Sequence, residues 1–439
     1  MKKLIKPRTL SGFMELLPNE QLKFNQLLKG IETTYKKYGF LPLDTPVIEA
    51  SEVLLAKAGG ETEKQLYQFS KGKTALTLRF DLTVPLAKYV AKNYGKLSFP
   101  FRRYQIGKVY RGERTQKGRF REFYQCDIDM IGDGELSIIN DAEIVKIIDD
   151  LFSTLNLPNF IIKINNRKVL TGFFNYLNLE KESIEIMRII DKLPKIGEKE
   201  VKNELKKLKI PLNILNNILS FINISGTNKE ILSQLDKLKI KQETFKKGIE
   251  ELKEVYHYLQ LFQINENKIK IDLKISRGLD YYTGTVYETF FLDYPELGSI
   301  CSGGRYDDLA EYYIEKKLPG VGVSIGLTRL FDQLNKLKLL KEEKVKPIDY
   351  LIVPLTKDYQ YLINCYNELQ KNNIKTQIFY EKRSLKSIIN YALHLNIPFL
   401  IFIGEEEINT KTITVKDLKT YQQKTIPLKE LLKEESYEN

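Results

Sequence analysis

The sequence predicts an α+β protein: a core built on an antiparallel sheet flanked by helices, a helical insertion within it, and a small α/β domain at the C-terminal end. Three observations carry that prediction. The stretch RFREFYQCDIDMIG (119–132) alternates by parity, as a strand does when successive side chains point to opposite faces. Residues 167–260 become helical in pattern, rich in Lys and Glu and poor in glycine. Beyond the charged, proline-ended stretch KLKLLKEEKVKP (336–347), strand and helix patterns alternate β-α-β-α-β. The chain therefore divides into a core over 1–335 with its insertion at about 167–260, a linker over 336–347 and a domain over 348–439.

In chain order, NEQLKFNQLLKGIETTYKKY (19–38) is an amphipathic helix stopped by Gly39. TALTLRF (74–80), YQIGKVYRG (104–112) and the 119–132 stretch read as strands. The last two form an antiparallel hairpin with a long polar connection, GERTQKG. A helix is expected at about 140–156 and a strand at IIKIN (161–165). After the insertion, strands resume at KIDLKIS (270–276), TVYETFFLD (285–293) and GVGVSIG (320–326). In the last domain DYLIVPL, KTQIFY and PFLIFIG are strands separated by two helices.

Composition removes several kinds of chemistry. Hydrophobic residues at 42% and charged residues at 29% of 439 fit a soluble globular protein. No apolar run is long enough for a membrane span, and MKKLIKPRTLSGF lacks the apolar core of a signal peptide, so a cytoplasmic, membrane-free protein is expected. Three cysteines stand far apart and outside any CxxC, which suits a reducing compartment without structural zinc. The two histidines, His257 and His394, sit in no polar cluster, which argues against a Ser-His-Asp triad or a histidine-rich metal site. The chain lacks the P-loop pattern, and the glycines of GVGVSIG miss the dinucleotide-binding spacing by one residue. Chemistry is left to Arg, Asp, Glu, Gln and Tyr. A net charge of +12 points to a polyanionic partner.

The parity of 119–132 is where that chemistry gathers. Arg119, Arg121, Phe123, Gln125, Asp127 and Asp129 occupy the odd positions, while Phe120, Tyr124, Cys126, Ile128 and Met130 occupy the even ones. One face is apolar; the other carries guanidiniums, a ring, an amide and carboxylates. Arg111, Arg277 and Arg329 lie beside other glycine-marked strands in a chain that otherwise prefers lysine. Arginine's planar fork suits bidentate phosphate recognition.

These residues resemble those of the class II aminoacyl-tRNA synthetases. VYRGERTQKGRFREF is similar to motif 2, GVGVSIGLTRL to motif 3, and YGFLPLDTPVIE to motif 1 with its proline at Pro46. RGLDYYTGTVYE (277–288) and SGGRYDDL (302–309) resemble the two signature blocks of the histidine–tRNA ligase family, and LTLRFDLTVP (76–85) matches it as well. The resemblance runs over nearly the whole chain. It implies a class II catalytic core followed by an anticodon-binding domain. The implied activity is ATP-dependent attachment of L-histidine to tRNA(His) through a histidyl-adenylate, with Mg²⁺ accompanying ATP and a homodimer as the assembly.

The resemblance also implies residue roles. Arg111 would hold the α-phosphate of ATP, Glu113 the adenine amino group, and Phe123 the adenine face. Arg119 and Arg329 would grip the outer phosphates. Asp81 and Thr83 would receive the α-amino group of histidine, Leu82 would join them in binding histidine, and Gln125, Asp129 and Tyr282 would line the rest of the amino-acid pocket, with Asp129 and Tyr282 at the imidazole. Arg277 would sit against both the α-phosphate and the substrate carboxylate, making Arg277 and Arg111 the catalytic pair. Tyr281 would pack or make backbone contact, its ring diverging from Tyr282 if the segment is extended. Arg114 and Gln116, in the motif 2 loop, would reach the tRNA acceptor end. Thr328 stands where the family usually has an acidic residue, so no side chain is assigned to magnesium. Two other classes share parts of this pattern: a synthetase-like regulatory subunit of ATP phosphoribosyltransferase, and class II synthetases for threonine, proline or glycine. The retained signature blocks and the C-terminal domain favour the histidine enzyme.

Overall fold

The structure, a computed structural model, describes residues 4–56, 63–113, 118–276, 281–340 and 348–438. The chain forms two compact units, Met1–Leu340 and Lys341–Asn439.

Among the described residues, eleven strands belong to the first unit: β1 (Leu41–Pro42), β2 (Ile48–Ala50), β3 (Gln68–Lys71), β4 (Thr74–Leu78), β5 (Phe101–Tyr110), β6 (Glu122–Ile131), β7 (Phe160–Asn166), β8 (Ile269–Ile271), β9 (Thr285–Phe291), β10 (Cys301–Tyr306) and β11 (Gly320–Gly326). Eight of them make one sheet in the order β1-β5-β6-β11-β10-β9-β7-β8, and β2-β4-β3 make a small second sheet. The six central strands are antiparallel to their neighbours. The short edge strands β1 and β8 pair in parallel, so the sheet is mixed at its rims.

The expected hairpin is β5–β6, and its register matters for everything below. Arg103 lies opposite Asp129, Gln105 opposite Asp127 and Gly107 opposite Gln125. On the other side of β6, Gly322, Ser324 and Gly326 of β11 face Asp129, Asp127 and Gln125. The even face of β6 packs as parity predicts: Cys126, Ile128 and Met130 are wholly buried in the core. Helix Pro18–Lys37 brings Phe24 against Tyr124 at 5.4 Å between ring centroids, and helix Ile139–Thr154 adds Ile144, Ile148 and Leu151 to the same core. The helix expected at 19–38 matches Pro18–Lys37, and Gly39 takes the left-handed φ of +74° just past its end.

Six helices fill the region expected to be an insertion, beginning at Arg167 and ending at Leu261. They do not form a core of their own. Phe173, Phe221 and Phe245 belong to the same apolar cluster as the sheet, with Phe173 and Phe221 stacked at 3.7 Å. Helices Arg167–Tyr176 and Glu243–Leu261 touch backbone to backbone: a Cβ at Gly172 would come within 2.3 Å of the Phe245 amide nitrogen. KIDLKIS departs from expectation. Only Ile269–Ile271 is strand, because Asp272 turns the chain by accepting from the Lys274 amide at 3.1 Å.

The second unit is a five-stranded sheet with a parallel centre. Tyr350–Pro354 pairs in parallel with Thr376–Ile378 and with Phe399–Ile403, which gives the expected β-α-β-α-β order. Beyond that order the sheet is larger than the sequence pattern predicts. Two more antiparallel strands, Thr412–Asp417 and Gln423–Pro427, extend it, and helix Leu428–Glu438 follows.

Candidate active site

The odd face of β6 is polar but not open. Gln125, Asp127 and Asp129 are 8%, 2% and 3% exposed. Asp129 accepts from the Tyr306 hydroxyl at 2.7 Å and pairs with the Arg103 guanidinium at 2.6 Å. The space it needs comes from the neighbouring strand: a Cβ at Gly322 would lie 2.2 Å from its Oδ1. Gln125 donates to the Ser324 hydroxyl at 2.6 Å, which leaves its own carbonyl oxygen without a protein partner. Asp127, between them, has an unpartnered Oδ1.

Across this face stands the N-terminus of helix Thr83–Asn93. Asp81 accepts from the Val84 amide at 3.1 Å through Oδ1, while its buried Oδ2 has no protein partner. Thr83 is 9% exposed and its side chain lies beside the Tyr281 hydroxyl. The Leu82 side chain is wholly buried; its carbonyl accepts from Arg103 at 3.1 Å. The rings of Tyr281 and Tyr282 do not diverge. Their centroids are 4.7 Å apart because the chain turns at Tyr281, and Tyr281 also meets Tyr306 edge-on at 6.1 Å. Tyr281 thus contributes a hydroxyl to the Asp81–Thr83 side, more than the packing role expected of it.

Burial dominates the electrostatics here. It pushes Asp127 up to about 7, against the pull of Arg103. Asp81 and Asp129 are raised in the same way to about 6, with Arg111 pulling Asp81 down and Arg103 pulling Asp129 down. Three carboxyls and few compensating cations suit a ligand that brings positive charge and N–H donors.

The other end of the face is built from the chain segments flanking the motif 2 loop. Arg111 donates to the Phe80 carbonyl at 2.9 Å and lies 5.3 Å from the Phe123 ring centroid. Glu113 and Arg119 pair at 3.3 Å, and Arg121 donates to the Glu113 carbonyl at 3.1 Å. Arg329, on helix Leu327–Lys336, donates to the Leu297 carbonyl. Its pKa is lowered by burial and by the like charge of Arg119. Two guanidiniums held within repulsive reach make an anion site. The structure therefore groups Asp81, Thr83, Gln125, Asp129, Tyr281 and Tyr282 at one end, and Arg111, Glu113, Arg119, Phe123 and Arg329 at the other. Arg114, Gln116 and Arg277 lie outside the described residues.

Sequence reasoning gave no role to Arg103, Asp127, Ser324 or Tyr306, although all but Arg103 lie in stretches it singled out. The hairpin register would have found the first, since the pairing that sets Tyr110 opposite Glu122 sets Arg103 opposite Asp129. Tyr306 reaches Asp129 across the intervening β11, a contact that its place in SGGRYDDL does not reveal. Thr328 acts through its hydroxyl, which accepts from the Tyr124 amide at 2.8 Å and fixes the motif 3 helix to β6. Among the described residues no three of His, Cys, Asp or Glu come together to hold a metal ion. No helix among them is long and apolar enough to cross a membrane.

Comparison with known proteins agrees with the geometry. Residues 12–330 match the family model for histidyl-tRNA synthetase, and residues 349–434 match that for an anticodon binding domain. A histidine–tRNA ligase of Clostridium tetani is 52% identical over 433 residues, covering 98% of each chain. The crystal structure of histidyl-tRNA synthetase from Nostoc superposes with a TM-score of 0.86 at 39% identity, covering 99% of this chain and 100% of that one. An ATP phosphoribosyltransferase regulatory subunit/histidyl-tRNA synthetase from Bacillus halodurans has a TM-score of 0.75 at 19% identity over 91% of this chain and 99% of that one, a likeness of fold alone. Matched by its family model over most of its length and by a relative more than half identical to it, the chain belongs to the histidyl-tRNA synthetase family.

Proposed function

We propose that this chain attaches L-histidine to tRNA(His) in two steps, with ATP as the energy source. The observation that carries the reading is the division of one strand face into a buried carboxylate pocket and an arginine-rich anion site, joined where Arg111 comes within electrostatic reach of Asp81. In the first step the histidine carboxylate attacks the α-phosphorus and pyrophosphate leaves. A carboxylate is already a nucleophile at neutral pH, so no general base is needed, and the scarcity of histidines is no obstacle. The demand is for stabilisation of charge on the phosphoryl oxygens. Arg111 and Arg277 meet it. In the second step a 3′-terminal hydroxyl of the tRNA attacks the acyl carbon and AMP leaves.

The carboxylate pocket takes the amino acid, with Asp81 and Thr83 at the ammonium and Asp129 with Tyr282 at the imidazole. Gln125 lies beside them. Phe123 stacks on adenine, Glu113 reads its amino group, and Arg119 and Arg329 take the outer phosphates. Magnesium enters with ATP, and no step is assigned to it. Arg114 and Gln116 contact the tRNA acceptor end. The unit from Lys341 onward reads the anticodon region, joined through the linker beginning near 336. A homodimer is the assembly expected from the family. The cytoplasm is the expected location.

Pyrophosphate exchange with each of the twenty amino acids tests the reading. Exchange that depends on histidine supports it. Exchange with threonine, proline or glycine instead, or none at all, contradicts it.

A further inference from the structure

We propose that Arg103 is the positioning residue of the amino-acid pocket: its buried guanidinium fixes Asp129 and the Leu82 carbonyl together, and so sets selectivity for histidine. The inference rests on the functional reading above and adds to it a residue that none of the motifs contains.

Arg103 is the largest wholly buried side chain among the described residues. A buried guanidinium is costly unless its donors are satisfied, and the two other most deeply buried arginines with structural partners, Arg305 and Arg79, obey that rule. Arg305 bonds Asp141 through two nitrogens and also donates to the carbonyls of Leu136 and Ser137. Arg79 donates to the Lys108 and Thr45 carbonyls and pairs with Asp44 at 3.1 Å. Arg103 differs. One terminal nitrogen makes both of its contacts, to Asp129 Oδ2 at 2.6 Å and to the Leu82 carbonyl at 3.1 Å, while Nε and the other terminal nitrogen have no protein partner. A guanidinium kept for packing would not be left half-bonded.

Its two contacts join the halves of the pocket. Asp129 belongs to β6, and Leu82 belongs to the turn that presents Asp81 and Thr83 at the head of helix Thr83–Asn93. Movement of Arg103 would shift the imidazole acceptor and the ammonium acceptors relative to one another. Tyr306, donating to the other oxygen of Asp129, completes the hold. The titratable groups in its electrostatic reach are Asp127 and Asp129 on β6, Tyr306 on β10 and Tyr35 on helix Pro18–Lys37, with Asp81 beside the two carboxyls and Tyr282 beside Tyr306. Arg103 offsets the carboxyls: removing it leaves Asp129 a stronger base, protonated at higher pH and less able to accept from an imidazole N–H.

The test is pyrophosphate exchange by Arg103→Lys and Arg103→Gln, with histidine and ATP varied separately between pH 6 and 8.5 and melting temperatures recorded alongside. Lysine keeps the charge but not the planar guanidinium that sets one nitrogen against both Asp129 and the Leu82 carbonyl; glutamine removes the charge. A positioning role predicts a histidine KM raised roughly 10-fold or more in Arg103→Lys, with the ATP KM within about 2-fold. In Arg103→Gln the pH below which histidine binding weakens moves upward. An unchanged histidine KM, or equal changes in both KM values, overturns the proposal. Failure of both variants to fold also overturns it, since Arg103 would then be structural. If the unmodified chain shows no histidine-dependent exchange, the functional reading fails; if it does and both variants keep its histidine KM, only the role of Arg103 fails.

Discussion

The two ends of the β6 face are made in different ways. At the amino-acid end, Gln125, Asp127 and Asp129 are buried and set by the register of three strands. At the nucleotide end, the Arg119 and Glu113 side chains remain 40% and 25% exposed and come from segments at the margins of a loop. The first is rigid because a strand register cannot slip without turning every side chain to the other face. The second is held by no such register. The contrast suits the two ligands. An imidazole must be told apart from other side chains by a fixed acceptor, whereas a polyphosphate is held by charge over a range of geometries.

Substitutions that strike one end and spare the other test the contrast. The largest effect is expected from Asp129→Ala, which leaves Arg103 buried without its carboxylate. Breaking such a pair costs about 3–5 kcal/mol. The histidine KM should rise by about 100-fold or more in pyrophosphate exchange, with the ATP KM within about 2-fold. Comparable increases in both would mean that the two ends are one structural unit. Arg119→Ala should give the mirror image with a smaller amplitude. A charge-assisted hydrogen bond contributes roughly 1.5–3 kcal/mol, less where solvent screens it, so a rise of about 10-fold in the ATP KM with histidine unaffected is expected.

The smallest effect is that of pH. Burial raises Asp81 and Asp129 to about 6 and Asp127 to about 7, so the free protein binds more protons than the unfolded chain between about pH 4 and 7. Folding stability contributed by these groups therefore falls as pH rises through that window, and the loss is complete above about 7. On the proposed reading histidine binding has the opposite preference, because it would need Asp129 ionised. Its KM should climb as pH drops below about 6, while the ATP KM changes little over the same range. A flat histidine profile would show that the carboxyl facing the imidazole does not titrate there.

Much of this architecture is legible in the residues. The parity of RFREFYQCDIDMIG identifies both faces of β6, and the glycine-bounded loop before it gives the hairpin. Parity says which side chains share a face and nothing about what covers that face, which is why the polar side proves as buried as the apolar one. Arg103 is hidden for a related reason: in FRRY nothing marks it, and its meaning comes only from lying opposite Asp129. The Gly322 cradle and the Tyr306 hydroxyl arise from strands distant in sequence, beyond any local pattern. In the second unit, TITVKD and QKTIP escape notice because short strands rich in Thr and Lys resemble a solvated loop until their pairing is known.

The most direct measurement is titration calorimetry of the ATP-free protein with L-histidine near pH 6, in buffers of different ionisation enthalpy. A strand-built pocket should bind one histidine per chain without ATP. The observed heat should depend on the buffer, because protons leave the buried carboxyls as the ligand's positive charge arrives. Binding of histidine only after ATP has been added would contradict the account, since the amino-acid end would then be assembled by the nucleotide and not by the sheet.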